Sequence, residues 1–413
     1  MTEDQLISQL YKTEYRKIVS VLCKLVGIAH VEIAEDIGND TFLLASETWK
    51  LKGLPENPTA WLYTVAKNKT KDYFKRHKTF TEKISVDLRN NSTGFESLEV
   101  DLSPKNISDS QLQMIFAVCN PVISTEAQIG LALRILCGFG INEIADAFLS
   151  NKETINKRLF RAKETLRKEN SAIEFPSEAE IPKRLETVLT TLYLLFNEGY
   201  YSNNQTNTIH KEFCLEAMRL TYLLLENEST NQPIVNALMS LMCFQASRLE
   251  ARTSETGENI LYDEQDQRLW NDELISRGNH FLIASAKGQE ISKYHLEASI
   301  AYWHSTKTVN PDKWENILQL YNKLLQIDYS PIVALNRTYA LSKATGKETA
   351  IVEAEKLKLN NNHLYFSLLG NLYTDVDNEK ALENYREAYK LAPKSADKLV
   401  LSKIINELKE KSN

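Results

Sequence analysis

At 413 residues the chain is too long for one ordinary core, so two to four domains are expected, each burying enough apolar surface to fold. Its 13 Gly and 10 Pro are too few for the turn-rich pattern of β-sandwiches, and an all-α fold is expected. The formal charge of −6 argues against nucleic-acid binding only until it is divided by position: residues 1–170 hold 23 Lys/Arg and 22 Asp/Glu, leaving 26 and 33 for the remainder.

The five cysteines, Cys23, Cys119, Cys137, Cys214 and Cys243, are odd in number, scattered and mostly set in apolar runs. That pattern suits buried free thiols in a reducing cytoplasm better than a disulfide framework or a zinc site. The opening Met1-Thr-Glu-Asp-Gln lacks the basic flank of a signal peptide, and no apolar run approaches the roughly 18 residues that span a bilayer. A cytoplasmic protein without membrane contact or cofactor is the expectation.

From Ile7, apolar residues at Leu10, Tyr11, Ile18, Val19, Leu22 and Leu25 keep helical spacing behind a candidate capping box, Thr2-x-x-Gln5. A second helical run covers Ala34 to Trp49, a loop with Gly53, Pro55 and Pro58 follows, and a third run extends from about Thr59 to Lys78. These make one helical domain, residues 1–80. The stretch from about Thr79 to Ser108 is rich in Ser, Asn, Asp and Glu and contains Gly94 and Pro104, so a flexible linker is placed at 81–107. A second helical domain covers 108–170, and Pro176 and Pro182 break the chain before a new run at Arg184. Residues 182–305 read as several helices with a polar interruption around Arg252 to Asn259. In residues 311–413, Leu364 to Tyr373 and Lys380 to Pro393 resemble a tetratricopeptide repeat, with partial units at Trp314 to Ile327 and Ile332 to Leu341.

The most informative segment runs from Ser124 to Arg167 and reads as helix-turn-helix. A short helix from Asn142 to Leu149 turns Ile144, Ala145 and Phe148 inward, with a small residue where two helices must approach. After a turn at Ser150-Asn151, a second helix carries an apolar stripe at Ile155, Leu159, Ala162 and Leu166. Lys152, Asn156, Lys157, Arg158 and Arg161 then face outward, where N-terminal residues of a recognition helix reach base edges. A basic surface helix in a bundle is the plainer alternative. The second constellation, Trp61 to Arg76, interleaves basic residues with aromatics over a buried face of Leu62, Val65, Ala66 and Tyr73. Aromatics can stack on unpaired bases while Lys and Arg neutralise phosphates and Asn68 bonds an extruded base. Taken alone, a core Trp61 and a solvated lysine face explain it equally well.

Ala34-Glu-Asp-Ile-Gly-Asn-Asp-Thr-Phe-Leu-Leu-Ala45, then Ala60 to Arg76, then the helix-turn-helix resemble, in order and spacing, regions two and four of extracytoplasmic-function sigma factors. The resemblance implies region two at about 8–78, region four at about 108–168, and partners in core RNA polymerase, through its β′ clamp and β flap, and in promoter DNA. It carries Asp36, Asp40 and Phe42 over to polymerase binding. It carries Trp61, Lys67, Asn68, Lys71, Asp72, Tyr73, Lys75 and Arg76 over to the minus-ten element. The recognition-helix residues Lys152, Glu153, Thr154, Asn156, Lys157, Arg158 and Arg161 go to the minus-thirty-five element. Asn156 stands where many members have a basic residue, which leaves the sequence preference open. The extension, with Leu192 to Tyr201 and Asp263 to Trp270, looks like the subgroup carrying a large tetratricopeptide-like C-terminal domain, for which an unknown protein partner is open.

Enzyme readings fare poorly. His210-x-x-x-Cys214 offers two metal ligands without a third, Gly138-Phe-Gly140 lacks the further glycine of a phosphate loop, and no catalytic constellation is evident. Two rivals remain: a helix-turn-helix regulator with a helical sensor, and a tetratricopeptide adaptor.

Overall fold

A computed structural model describes residues 3–76, 100–148, 150–169, 173–200, 211–252, 260, 262–307, 310–393 and 395–412. The protein is all-helical, with no strand among the described residues. The chain divides into two compact units, Met1–Leu195 and Phe196–Asn413.

The first unit opens with α1 (Glu3–Leu10), a π-helical turn (Tyr11–Tyr15) and α2 (Arg16–Val26), followed by a 3-10 turn (Ile28–His30), α3 (Val31–Lys52) and α4 (Pro58–Arg76). Gly27 and Gly53 end α2 and α3 at positive φ, a conformation that glycine adopts without steric cost. Gly38 serves a different need: a Cβ there would come within 2.8 Å of the Tyr15 ring, so the glycine lets α3 lie close to that aromatic. Thr2, half of the expected capping box, lies outside the described residues.

The expected linker ends sooner than its composition suggested. Val100 and Leu102 are buried, and Ser103 caps α5 (Pro104–Val118) by accepting the Asn106 N–H. Pro104 therefore starts a helix rather than breaking one, since its missing N–H is unneeded in the first turn. The same holds for Pro182, second residue of α9. Next come α6 (Thr125–Leu131), a π-helical turn (Ala132–Leu136), α7 (Ile141–Ala147), α8 (Lys152–Lys168) and α9 (Ile181–Tyr200), the helix in which the division between units falls. The five cysteines are buried free thiols. Burial raises Cys23, Cys119, Cys214 and Cys243, the last three each to about 12, which keeps these four as inert thiols.

In the second unit, α10 (Lys211–Leu225), α11 (Pro233–Ala246), α12 (Asp272–Ser285) and α13 (Lys293–Ser305) form a bundle around α11, which is apolar nearly all round. Among the described residues between α11 and α12 lie three short 3-10 turns, Leu249–Arg252, Tyr262–Glu264 and Gln267–Leu269. Gly278 lets the two helices touch, because a Cβ there would lie 2.7 Å from the Phe244 ring. Six helices follow: α14 (Lys313–Ile327), α15 (Pro331–Thr345), α16 (Lys347–Leu357), α17 (His363–Tyr373), α18 (Asn378–Leu391) and α19 (Ser395–Ser412). Each packs on the next in sequence, and one continuous apolar core from Leu296 to Leu408 joins them, as in a stacked hairpin array.

Candidate nucleic-acid interface

The helix-turn-helix is built by local capping. The Gly140 N–H donates to the Glu143 carboxylate at 2.6 Å where α7 starts, and the Asn151 side chain accepts the Thr154 N–H at 2.8 Å where α8 starts. Ile155, Leu159, Ala162 and Leu166 are the buried residues of α8, and Ile144 and Ala145 of α7 are buried as well. Gly130 on α6 is a contributor that sequence reasoning missed: a Cβ there would lie 2.9 Å from Leu159 Cδ2, so glycine sets the spacing of α6 and α8. Leu149 lies outside the described residues, and Phe148 is half-buried.

With that stripe committed inward, Lys152, Glu153, Thr154, Asn156, Lys157 and Arg161 are exposed. Arg158 is only half-exposed, its guanidinium resting 5.7 Å from the centre of the Phe148 ring. A groove of about 460 Å³ runs along this face between Ser124 and the side chains of Thr154, Lys157, Arg158 and Arg161. Glu126 beside it stays ionised, held below the usual carboxylate range by its own N–H and by the Ser124 hydroxyl.

The aromatic-basic helix α4 corrects the sequence reading of its inner face. Leu62, Ala66, Thr70 and Phe74 are buried, one every four residues, while Val65 and Tyr73 are half-buried at its edges. Thr70 is tolerated inside because its hydroxyl donates to the Ala66 carbonyl at 2.7 Å. Trp61 is also half-buried, edge-on to the fully buried Trp49 at 5.4 Å. Asn68, Lys71, Asp72, Lys75 and Arg76 are exposed and Lys67 half-exposed, so a polar, basic surface does run along α4.

On α3, Asp36 and Asp40 are exposed, but Phe42 is not: it is 5% exposed and packs edge-on against Tyr11 at 5.1 Å. Its place in the core removes it from any surface contact in this conformation. The apolar residues beside Asp36 and Asp40 are instead Leu43 and Leu44, exposed by 59% and 37%. Helical spacing from Asp36 and Asp40 was the available signal.

The two DNA-binding candidates share one unit. Arg134, on the turn before α7, pairs with Glu35 of α3 at 2.7 Å, and Lys163 of α8 pairs with Glu32. Burial raises the Glu35 carboxyl above its ordinary range, with Arg134 and Lys163 opposing the shift. A cleft of about 290 Å³ lies at this junction, lined by Glu35, Arg134, Asn156, Phe160 and Lys163. His210 lies outside the described residues, and among the described residues no three His, Cys, Asp or Glu side chains are grouped to hold a metal. No helix among the described residues is long and apolar enough to cross a membrane.

Comparison with known proteins matches residues 10–80 to the family described as sigma-70 region 2, and residues 184–286 to a family of unknown function, DUF6596. An uncharacterized protein of Rhizobium meliloti (strain 1021) is 32% identical over 348 residues, covering 83% of this chain and 82% of that protein. No solved structure matches.

Proposed function

The chain belongs to the sigma-70 family, as an extracytoplasmic-function type factor with a large C-terminal extension, and from that premise we propose how it engages the promoter. Its role is in transcription initiation, with core RNA polymerase and promoter DNA as the indicated partners. In our reading, α8 enters the major groove of the minus-thirty-five element with Lys152, Glu153, Thr154, Asn156, Lys157, Arg158 and Arg161. Trp61, Lys67, Asn68, Lys71, Asp72, Tyr73, Lys75 and Arg76 of α4 meet the minus-ten strand as it opens. Asp36 and Asp40, now joined by Leu43 and Leu44 in place of Phe42, dock on the polymerase β′ clamp. The second domain docks on the β flap.

The observation that carries this reading is α8 itself. Seven basic and two acidic residues lie between Lys152 and Lys168, its apolar stripe is wholly buried, and its N-terminal half is exposed. The reading also requires a change of arrangement. Elements centred about 25 base pairs apart lie about 85 Å apart on B-DNA, whereas a compact body of 195 residues is about 40–45 Å across. The Arg134–Glu35 and Lys163–Glu32 pairs must therefore part on the promoter.

Run-off transcription with added core polymerase tests the proposal: new, sequence-specific start sites are expected. Binding to duplex DNA without polymerase and without new start sites would replace it with a helix-turn-helix regulator. Neither activity would leave a protein-binding adaptor.

A further inference from the structure

The extension contains a cluster that transcription does not account for, and it gathers around Tyr262. The guanidinium of Arg248 lies 5.4 Å from the centre of the Tyr262 ring and the ammonium of Lys313 lies 5.3 Å from it. Lys313 also donates to Tyr262 Oη at 2.9 Å, and that hydroxyl donates to the His304 carbonyl at 2.9 Å. The rings of His304 and Trp270 flank Tyr262 at 5.0 and 6.3 Å, and Trp314 abuts His304 at 5.8 Å. Both cations sit against phenol groups and aromatic faces, Arg248 reaching Tyr200 Oη at 3.5 Å, and neither forms an ion pair among the described residues. Lys343 is different, since Asp263 lies 3.6 Å from it.

Polar atoms are stranded at the same place. Arg248 Nε, Trp270 Nε1, His304 Nδ1 and Gln265 Oε1 are buried without a hydrogen-bond partner among the described residues. A buried donor or acceptor left unmade carries its full desolvation penalty, and native interiors keep few of them. Burial, then Arg248 and Lys313, push the His304 imidazole down to about 3, so it is neutral and leaves the two cations as the local charge. Two cations without a carboxylate partner and two N–H donors without an acceptor, among the described residues, sit beside aromatic faces and call for an anion with oxygen acceptors.

We propose that the extension binds a small oxyanion, a carboxylate or phosphate group, between Arg248, Lys313 and the indole N–H of Trp270 against Tyr262. Arg248 Nε–H and Trp270 Nε1–H donate to its oxygens, Lys313 supplies the second positive charge, and any flat apolar portion stacks on the neighbouring rings. The stretch Asp263 to Trp270, prominent in the sequence, thereby acquires a role, because its turns carry Gln265 and Trp270 to the site.

The test uses the full-length protein without polymerase or DNA, so its outcome stands apart from that of the transcription assay. Thermal unfolding and tryptophan fluorescence are followed in sodium phosphate and in sodium succinate, each against sodium chloride of equal ionic strength. At least one anion is expected to raise Tm saturably, by about 4 °C or more at one hundred times its apparent Kd. Phosphate alone identifies a phosphoryl ligand and succinate alone a carboxylate. Arg248→Met should weaken the response at least tenfold while leaving the ligand-free Tm no lower, because it removes a cation that has no carboxylate partner among the described residues. Trp270→Phe keeps the aromatic packing, loses the N–H and should weaken binding several-fold. The double variant Arg158→Ala/Arg161→Ala should keep the full response, which excludes phosphate captured by the recognition helix. No effect beyond chloride with either anion, or an undiminished response in both Arg248→Met and Trp270→Phe, overturns the proposal.

Discussion

The two basic helices of the first unit, α4 and α8, divide their surfaces differently. In α8 four aliphatic or small residues take the whole buried stripe, so every basic residue in its N-terminal half is available to solvent apart from Arg158, which leans on Phe148. In α4 the buried line is narrower, and Trp61, Tyr63, Val65 and Tyr73 sit half-buried on its flanks, with Tyr63 donating to Glu14 at 2.6 Å. The aromatics that would meet an unpaired strand thus also hold α4 to its neighbours. If α8 and α4 read the promoter as proposed, packing and recognition are separable by mutation in α8 and entangled in α4.

The largest expected effect tests the entanglement. Trp61→Ala removes the edge-on contact with Trp49 and should cost about 2–4 kcal/mol in thermal unfolding, somewhat under a fully buried aromatic, together with promoter opening read by permanganate. Trp61→Phe should recover most of the stability. If opening recovers equally, the tryptophan acts through packing alone and the comparison breaks. Arg158→Ala/Arg161→Ala in α8 should show the opposite balance: promoter affinity falls by about 1–3 kcal/mol for each base-reading arginine, with unfolding shifted by no more than about 0.5 kcal/mol. A large loss of stability here would mean that the Arg158–Phe148 contact is structural.

A third substitution probes the contact between the parts that carry the two helices. Arg134→Met leaves Glu35 buried without its partner and should cost about 1–2 kcal/mol at neutral pH, discounted because Arg134 is partly exposed. The sign of the pH dependence follows from Glu35. Its folded carboxyl is raised above 4.5, so it favours the folded state most where it is protonated, and that advantage is lost as pH rises through the raised value. In Arg134→Met the opposing charge is gone, so stability should fall more steeply between about pH 5 and 7 than in the wild type, measured by urea unfolding across that range. Equal slopes would assign the pH dependence elsewhere.

The same contrast explains what the sequence disclosed. The α8 stripe was legible because aliphatic and basic residues separate cleanly at helical spacing, and the caps at Asn151 and Ser124 are short-range signals. In α4 aromatic amphipathicity blurs the period, so spacing alone points to Val65 and Tyr73 where Thr70 and Phe74 are buried. Phe42 was misplaced because a resemblance carries residue types over without saying which side of the helix is already covered by Tyr11 and Tyr15. Pro182 reads as a break and Pro104 as part of a linker, because proline starts helices as readily as it stops them. The Arg134–Glu35 pair and the cluster around Tyr262 join residues distant in sequence, and no local pattern announces them.

The smallest expected effect locates the edge of the reading face on α8. Lys157 is exposed on the groove side, whereas Lys163, six residues on, is turned to Glu32 with its side chain 19% exposed. Each lysine that neutralises a phosphate releases counterions and adds about one to the slope of log affinity against log salt. Lys157→Ala should therefore lower that slope by about 1 for promoter binding by the holoenzyme, while Lys163→Ala leaves it unchanged. Lys163→Ala should instead cost about 0.2–1 kcal/mol of stability in the free protein, an effect that fades with added salt because Glu32 is largely exposed. Should Lys163→Ala lower the salt slope as Lys157→Ala does, its ammonium reaches DNA once the two parts separate, and the reading face of α8 extends at least one turn further than the packed form displays.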